Sequence, residues 1–509
     1  MELALWAFIL ALAYLPLPFG FLAWIALARP IAIISQLDSK TAFKAGYFYS
    51  FMANLFQLYW IGYVTPPGMV AAIFLLSLYP ATVLWMFNKI FKWKSVLGII
   101  ALPILWVGME YFRSLTELSF PWTDLSYSQA YYLSMIQIVS VIGAYGLSLL
   151  VMALNIFIWK IFSKSSVLET RMSLILAFIG VIGVLYLYGW VVLPKFPEDG
   201  NIRISLLQGD VDLSTKWQSE TRTRNFTLYD SLAVEASKED PGLIIWPETA
   251  APAYPNYELG YLRMLQQTAR RSGASNIFGA LDQEQNDGKR KSYNSAFQIS
   301  ELGEKNGVYH KIKLVPFSER SPYQEEIPFL TRDFLQKYIT AIETHDVQWW
   351  SNFYSGDSIV LFEFDSIQYV PLICYECAFP EFVRESILKG ASFLVNITND
   401  TWFGYTPGPF QHLRIALMRA VENRIWLARC ANTGISAVVD PYGRIRTRGE
   451  LYERKVLTYN IQPLEEYSVF TKIGPVVGRY SWYITFLLFI CFIILKFVCP
   501  RYKSKPFPE

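Results

Sequence analysis

The sequence predicts two parts, a multi-pass α-helical membrane domain and a layered α/β domain whose sheets are covered by helices. Two observations favour this fold class. The chain of 509 residues is 53% hydrophobic with a mean hydropathy of +0.26, which is too apolar for an ordinary soluble protein. The apolar residues are also unevenly placed, because residues 1–195 and 480–499 contain few charges whereas residues 200–470 resemble an aqueous domain. We therefore expect a membrane domain, an aqueous domain and one closing span.

The N-terminal apolar segment is divided by proline. Residues 3–35 are almost uncharged, but Pro16 and Pro18 interrupt them, which favours two short or hinged spans because about twenty residues suffice to cross a bilayer. A cleavable signal peptide at residues 1–28 is the alternative, but no basic segment precedes its apolar run. Later runs bring the expected total to about eight spans, of which about seven precede residue 195. These runs lie at residues 45–64, 69–91, 96–112, 136–162, 172–193 and 480–499.

Basic residues between the apolar runs predict the orientation of the chain. They cluster on alternate connections, and the positive-inside rule assigns that side to the cytoplasm. The opposite connections contain Arg113 as their basic residue, so we expect the aqueous domain outside the cytoplasmic membrane. The clusters are Arg29, Lys40 and Lys44 after the second span, then Lys89, Lys92 and Lys94, then Lys160, Lys164 and Arg171, and finally Arg501, Lys503 and Lys505.

From Asn201 onwards, short apolar runs alternate with amphipathic stretches, which is typical of sheets covered by helices. We expect helices at residues 218–238, 258–272, 380–389 and 410–423. Strands are expected at residues 202–207, 243–246, 276–280, 295–299, 358–364, 370–374, 392–397, 425–430, 436–440 and 455–459.

Composition argues against several classes of function. A net charge of +3, without a basic stripe interleaved with aromatic residues, does not favour nucleic-acid binding. The sequence contains no HExxH motif, so we expect no zinc site, and we expect no cofactor. Cys374 and Cys377 have C-x-x-C spacing, but no thioredoxin-like βαβ pattern surrounds them.

Cys374 is the first candidate for chemistry. The stretch Tyr369–Cys377 begins as an apolar, strand-like run and breaks at this thiol into a turn and helix. A strand end fixes a nucleophile, and the following turn exposes it beside N–H groups that favour a thiolate. The alternative is a buried cysteine in a core strand, since free cysteine is among the most buried residue types.

Other polar groups occur at predicted strand ends and turns. Glu248 follows the strand at residues 243–246 and is a candidate general base, with a solvated loop carboxylate as the alternative. Arg419 and Glu422 are three residues apart on a predicted helix, where we expect a structural ion pair. The remaining candidates are Lys311, Lys313 and Glu319 around a Leu-Val-Pro-Phe turn, and the aromatic loop Asn399–Gly404.

Four motifs together resemble the nitrilase superfamily. They are Pro247-Glu248-Thr249, Lys311-x-x-Leu-Val-Pro-Phe317, Cys374-Tyr375-Glu376 and Asn399-Asp400-x-Trp402-Phe403-Gly404, in this order. The membrane segment in front narrows the resemblance to the apolipoprotein N-acyltransferase family, which adds the third acyl chain to bacterial lipoproteins. Five further matches extend the resemblance over essentially the whole chain. They are Phe120-Pro121-Trp122, Tyr127-Ser128-Gln129, Gln208-Gly209, Trp217 and Tyr293-Asn294-Ser295.

The resemblance implies a nitrilase-like αββα sandwich and a role for each motif. Cys374 is the implied nucleophile, Glu248 the general base and Lys311 the oxyanion-stabilising cation. Physical chemistry agrees, because a thiol with a pKa of about 8.5 needs a base and a positive environment to attack an ester. Lys313, by its spacing, is a surface or turn charge. Supporting roles are implied for Glu319 and Glu376, and the N–H of Tyr375 is a candidate second oxyanion donor.

One residue departs from the family pattern. Ser318 stands where the family usually has glycine in Pro-Phe-Gly-Glu, which bears on the backbone angles of the turn and on the aim of Glu319.

The family works by ping-pong acyl transfer. A phospholipid is the implied acyl donor, a diacylated apolipoprotein is the acceptor, and the site is the periplasmic side of a bacterial inner membrane. Eight spans exceed what an anchor needs but suit two lipid substrates that arrive from the bilayer. Candidates for substrate binding are Trp217, Asn294, Trp402 and Phe403. The aromatic residues Trp402, Phe403, Trp349 and Trp350 are expected in an interface or lid, with a buried-core role as the alternative for each.

Two other functions remain as alternatives. A membrane-tethered nitrilase-type amidase would pass its acyl group to water, and its motifs would be the same. A transporter or scaffold with an inactive domain is less favoured, because the three implied catalytic residues are present and the membrane segment lacks a run of ionisable residues that would mark an ion path.

Overall fold

The computed structural model describes residues 1–163, 167–193, 200–212, 216, 218–286, 289–331, 334 and 351–498. Among these residues, five helices are long and apolar enough to cross a membrane, at Pro66–Trp93, Ser95–Phe112, Val139–Ile161, Leu168–Val192 and Val476–Ile494. Whether the chain makes about eight spans therefore stays a prediction. The helices of the first 193 residues are α1 (Glu2–Leu12), α2 (Ala28–Gln36), α3 (Ser39–Leu58), α4 (Ile61–Val64), α5 (Pro66–Trp93), α6 (Ser95–Phe112), α7 (Leu133–Ile136), α8 (Val139–Ile161) and α9 (Leu168–Val192).

The N-terminal segment is hinged as predicted. Helix α1 ends at Leu12 and α2 begins at Ala28, so the two prolines lie between two short helices. The placement of Arg29 after a second span is wrong. This residue lies in the first turn of α2, and its guanidinium Nε is 2.5 Å from Glu2 Oε1.

Two six-stranded sheets form the α/β part of the chain. The first has the strand order β12-β1-β2-β3-β4-β5 and the second β11-β10-β9-β8-β7-β6. The strands are β1 (Ile202–Gln208), β2 (Leu243–Ile245), β3 (Ser275–Asn286), β4 (Lys289–Ile299), β5 (Lys305–His310), β6 (Phe362–Phe364), β7 (Ile367–Ile373), β8 (Leu394–Thr398), β9 (Leu427–Ala431), β10 (Ala437–Val439), β11 (Ile445–Arg448) and β12 (Lys455–Ile461).

An apolar core joins the two sheets face to face, and helices cover their outer faces. Leu206 and Ile245 of the first sheet share this core with Ile373 and Ile397 of the second. This is the predicted αββα sandwich. The remaining helices are α10 (Ser219–Ala236) and α11 (Leu259–Ser272) on the first sheet, α12 (Pro380–Leu388) and α13 (Gly408–Asn423) on the second, and α14 (Val469–Ile473) and α15 (Val476–Val498) at the C-terminal end.

Helix α13 connects the sandwich to the membrane helices. Its Leu413 and Leu417 belong to the same apolar cluster as residues of α3, α5 and α8. At its C-terminal end, Glu422 Oε1 accepts a hydrogen bond from the N–H of Ala144 in α8 at 2.6 Å. Glu422 is also paired with Arg419 at 3.0 Å, which confirms the predicted structural ion pair. Buried apolar and ionic contacts therefore hold the two parts together.

Candidate active site

Cys374 is the first residue after strand β7 and begins a short 3-10 helix that ends at Ala378. Its φ angle is +52°, a left-handed conformation that non-glycine residues adopt mainly where the surrounding structure enforces it, as at active sites. The residue is partly exposed, whereas Cys377 and Cys430 are fully buried. The strand end and the turn thus present this thiol, and the placement agrees with a nucleophile better than with a core cysteine.

Glu376 stabilises the turn that begins at Cys374 through hydrogen bonds to its carboxylate. One carboxylate oxygen accepts a hydrogen bond from the N–H of Ile373 at 2.7 Å. The other accepts from the Tyr309 hydroxyl at 2.6 Å and from the N–H groups of Ile312 and Lys313 at 2.7 and 3.1 Å. The fully buried carboxylate therefore ties the end of β7, which presents Cys374, to the segment that follows β5.

Lys311 comes from that second segment and lies between two carboxylates. Its Nζ is 2.9 Å from Glu319 Oε1 and 3.5 Å from Glu248 Oε1. Asn294 on β4 donates to the same two carboxylates, at 2.7 Å to Glu248 and 2.9 Å to Glu319. The side chain of Lys311 is 1% exposed, so its charge acts in a medium that screens it weakly.

The electrostatics of the site keep the cation charged and the resting thiol neutral. Burial alone would lower the pKa of Lys311, but the charges of Glu319 and Glu248 raise it above its usual range. Burial and the Glu248 charge raise the pKa of the Cys374 thiol well above its usual range, and Lys311 opposes this rise. A thiol in this environment would therefore act as a nucleophile only if a neighbouring base accepted its proton.

A cavity of about 390 Å³ lies in front of these groups. Glu248, Lys311 and Cys374 line its polar end. The rest of its wall is mostly apolar and comes largely from the membrane part of the chain, including the first turns of α5. The other lining residues are Trp60, Ile61, Val64, Thr65, Gly68, Ala71, Ala72, Leu75, Leu76, Leu118, Phe120, Trp122, Val315, Pro316, Phe317, Ser318, Glu319, Tyr375, Asn399, Trp402 and Phe403.

The candidates for substrate binding divide into three groups. Trp402 and Phe403 line the cavity, as expected of residues that contact a substrate. Asn294 is 3% exposed and lies behind Glu248 and Glu319, where it orients carboxylates. Trp217 lies outside the described residues, as do Trp349 and Trp350.

The turn around Ser318 directs Glu319 towards Lys311 without a glycine at position 318. The left-handed residue of this turn is Phe317, with φ +61°. Glu319 still receives the N–H of Val315 at 2.9 Å and still reaches Lys311. Lys313 points elsewhere, since its Nζ lies 5.3 Å from the centre of the Phe379 ring. The structure therefore brings together Cys374, Lys311 and Glu248 and leaves Lys313 aside.

Sequence reasoning missed several polar residues that support the site. Lys216, 1% exposed, donates to Thr249 Oγ1 at 2.6 Å beside Glu248, and burial lowers its pKa to about 7. His412 and Gln411 on α13 reach the thiol turn and the cavity wall. The available signal was the pair of adjacent polar residues Gln411 and His412 among the apolar positions of α13.

The fold, its long apolar helices and the grouped Cys374, Lys311 and Glu248 side chains define a membrane protein of the carbon-nitrogen hydrolase class, whose sequence profile matches residues 203–468. A second profile, of the apolipoprotein N-acyltransferase N-terminal domain, matches residues 6–157. The chain belongs to the apolipoprotein N-acyltransferase family.

Individual relatives extend the match over most of the chain. The apolipoprotein N-acyltransferase of Geobacter metallireducens is 32% identical over 478 residues, which cover 91% of this chain and 88% of that protein. The apolipoprotein N-acyltransferase of Chlorobaculum tepidum is 29% identical over 488 residues, 89% of this chain and 88% of the relative. Among solved structures, an amidase variant from Nesterenkonia sp. AN1 aligns with 57% of this chain and 100% of its own at 20% identity, with a TM-score of 0.40.

Proposed function

We propose that this protein transfers an acyl chain from a phospholipid to the N-terminal amine of a diacylglyceryl-cysteine lipoprotein, through a thioester on Cys374. The observation that carries the proposal is the shared cavity. The thiol, Lys311 and Glu248 open into the same space as the apolar side chains of α5, so an acyl chain can lie along a membrane helix while its ester carbonyl meets the thiol. The relatives' name agrees with a lipid donor and a lipoprotein acceptor.

In the first half-reaction, Cys374 Sγ attacks the ester carbonyl of the phospholipid. Glu248 accepts the thiol proton, and Lys311 stabilises the negative oxygen of the tetrahedral intermediate together with the N–H of Tyr375. Collapse of the intermediate breaks the ester bond. The lysophospholipid leaves as an alcohol with the proton returned by Glu248, and the acyl chain remains on sulfur.

In the second half-reaction, the neutral α-amine of the diacylated cysteine attacks the thioester. Glu248 accepts the amine proton, the tetrahedral intermediate again places its negative oxygen beside Lys311, and the thiol leaves. The product is an amide, and the proton returns to Cys374 Sγ. Both steps thus use the same three groups, which suits a ping-pong mechanism.

We also propose that the protein lies in a bacterial inner membrane with its α/β part in the periplasm. Lys160 Nζ, at the end of α8, lies 5.4 Å from the ring centre of Phe91 near the end of α5, so the basic ends of these helices lie together. The opposite end of α8 contacts Glu422 of the α/β part. The positive-inside rule places the basic end in the cytoplasm.

The test is a reaction with a phospholipid labelled in its acyl chain and a diacylated lipopeptide. We expect a labelled amide, and intact-protein mass spectrometry with phospholipid alone should detect the acyl adduct. Cys374→Ala should form no adduct. Glu248→Gln should form it about 10²–10⁴ times more slowly, because general-base catalysis is lost. Labelled free fatty acid without amide would instead establish the amidase-type alternative.

A further inference from the structure

The peptide bond between Cys374 and Tyr375 is held by a buried network on its far side. Its carbonyl oxygen lies 3.2 Å from His412 Nε2 and 3.3 Å from Asn396 Nδ2. His412 comes from helix α13 and is fully buried, and Asn396 comes from the neighbouring strand β8 and is equally buried. The same peptide bond carries the N–H that the proposed mechanism uses as an oxyanion donor.

A peptide bond is planar, so hydrogen bonds at one edge control the other edge. The Cys374–Tyr375 bond is trans, which means that its N–H points opposite to its C=O. Tyr375 lies in the first turn of the 3-10 helix, where N–H groups have no partner within the helix. Fixing the carbonyl oxygen against His412 and Asn396 therefore fixes the direction of a donor that is available to a substrate.

The chemistry of the partners determines which nitrogen of His412 donates. A carbonyl oxygen only accepts hydrogen bonds, so Nε2 must carry a proton. The other ring nitrogen, Nδ1, lies 2.9 Å from Asp400 Oδ1 and 3.1 Å from Arg429. Asp400 Oδ2 also accepts a hydrogen bond from Arg429 Nη2 at 2.7 Å, and Arg429 Nη1 donates to Asn396 Oδ1 at 2.5 Å. Both donors to the carbonyl are thus oriented by the same arginine and aspartate.

The charges in this network favour a protonated imidazole. Burial would raise the pKa of Asp400, but Arg429 and His412 lower it to about 2, so the carboxylate is ionised at neutral pH. Burial and Arg429 act to lower the pKa of His412, whereas Cys377 and Asp400 raise it, with a net rise to about 8. A cationic donor strengthens its hydrogen bond to the carbonyl and polarises the N–H on the opposite edge.

We propose that His412 is a positioning residue for acyl transfer: through the Cys374 carbonyl it aims the N–H of Tyr375 at the oxyanion, and Asn396 shares this task. The inference rests on the proposed Cys374 thioester and adds a role that the thiol, Lys311 and Glu248 do not fill. The proposed role of His412 is to help stabilise the negative oxygen of the tetrahedral intermediate. The nucleophilicity of the thiol depends instead on Lys311 and Glu248.

The test compares two reactions of the same thiol. Thioester formation from phospholipid passes through a tetrahedral oxyanion, whereas alkylation by iodoacetamide does not. His412→Leu should therefore form the thioester about 10–100 times more slowly, which is less than the typical cost of about 10²–10³ for removing an oxyanion donor outright. Alkylation of Cys374 should change less than about threefold, because the thiol itself is not the target of the substitution.

Conservative and control variants separate positioning from packing. His412→Gln keeps an N–H near the place of Nε2 and should restore most of the thioester rate. Asn423→Leu removes a buried polar side chain from the same helix, where it bonds Arg419 O and Thr471, far from the thiol turn. This control should lower the melting temperature without slowing thioester formation relative to alkylation.

Asn396→Asp gives an independent test if His412→Leu does not fold. It keeps the shape of the side chain and its contact with Arg429 but cannot donate to the Cys374 carbonyl, so thioester formation should slow clearly more than alkylation, which the added negative charge also slows. An unchanged thioester rate in folded His412→Leu or Asn396→Asp would overturn the proposal, as would a parallel fall in alkylation. Absence of a thioester in the unmodified protein would instead contradict the proposed function.

Discussion

Gln411 Oε1 accepts a hydrogen bond from Trp122 Nε1 at 2.9 Å, across the boundary between the α/β part and the membrane part of the chain. The same oxygen accepts from Trp60 Nε1 at 3.0 Å, and the Gln411 amide donates to Gln57 O at 3.3 Å. Both indoles line the cavity in front of Cys374. One buried side chain of α13 thus holds two aromatic rings of the proposed acyl site.

Gln411→Leu should make the positions of the Trp60 and Trp122 rings less fixed and should leave the thiol of Cys374 unchanged. Two indole N–H groups lose their acceptor in an apolar environment, and each buried unsatisfied group costs about 1–3 kcal/mol. We expect a lower melting temperature and a higher KM for phospholipid, with thioester formation from a short activated ester nearly unchanged. Gln266→Leu on α11, which removes a peripheral bond to Gly303 O, is the control. Equal KM effects in both variants would contradict a specific role for Gln411.

The two lysines near the Leu-Val-Pro-Phe turn should behave differently. Lys311→Met removes the cation that opposes the rise in the Cys374 pKa, so that pKa should rise further. Below the pKa, each unit of rise lowers the thiolate fraction about tenfold, so iodoacetamide should alkylate Cys374 more slowly at neutral pH. Thioester formation should fall by about 10²–10³ through the lost oxyanion partner.

Lys313→Met is the matched control for that change. Its ammonium lies over the Phe379 ring and does not line the cavity among the described residues, so both rates should stay close to those of the unmodified protein. If Lys313→Met abolishes thioester formation and Lys311→Met does not, the oxyanion-stabilising cation is Lys313 and not Lys311. Melting temperatures of both variants show whether a loss reflects unfolding.

Glu376→Gln should affect both stability and chemistry. The amide that replaces one carboxylate oxygen must turn an N–H group towards a donor, either Ile373 N–H or the set formed by Tyr309, Ile312 and Lys313. Hydrogen bonds to charged groups contribute about 1.5–3 kcal/mol each, so we expect a clear loss in the free energy of unfolding and slower thioester formation. The control is Glu385→Gln on the exposed side of α12, which should change neither the free energy of unfolding nor the rate of thioester formation. If Glu376→Gln also leaves both quantities unchanged, Glu376 does not stabilise the thiol turn.

The proposed orientation can be read from thiol labelling. In a background without Cys491 and Cys499, single cysteines at Glu301 and Lys94 would occupy exposed positions in the α/β part and between α5 and α6. A membrane-impermeant maleimide added to spheroplasts should label the former and reach the latter only after lysis. The reverse pattern would place the α/β part in the cytoplasm. Cys374→Ala in the same background removes labelling of the proposed nucleophile.

The sequence predicted the sandwich because its apolar alternation is strong in the core strands. Each expected strand from residue 202 onwards has an observed counterpart, but β5 and β11 were missed. Strand β5, Lys305–His310, is polar at its start and lies at a sheet edge, so it lacks the burial that generates a pattern. Strands β3 and β4 continue far beyond their apolar halves into charged positions, where Glu284 lies opposite Lys291 in the register, so hydrophobic alternation did not predict their full length.

The residues of the candidate site that belong to short sequence motifs could be predicted. The residues that reach the site through contacts between distant parts of the chain could not. Glu248, Lys311 and Cys374 were found from local motifs, and they line one cavity. The contacts of Gln411 with Trp60 and His412 with Cys374 join residues that are 351 and 38 positions apart. No local spacing encodes such contacts, because they arise only when α13 packs against the membrane helices and the thiol turn.

Helix α5 ties the position of the thiol to a long apolar helix, because its first turns line the same cavity as Cys374. This helix has 28 residues, about 42 Å at 1.5 Å per residue, whereas the hydrocarbon core of a bilayer is about 30 Å thick. Its first turns, which line the cavity, can thus extend into the layer where ester groups lie. In the proposed reaction, bilayer thickness and acyl-chain length should therefore affect the rate of thioester formation, because they set where the ester carbonyl lies relative to Cys374.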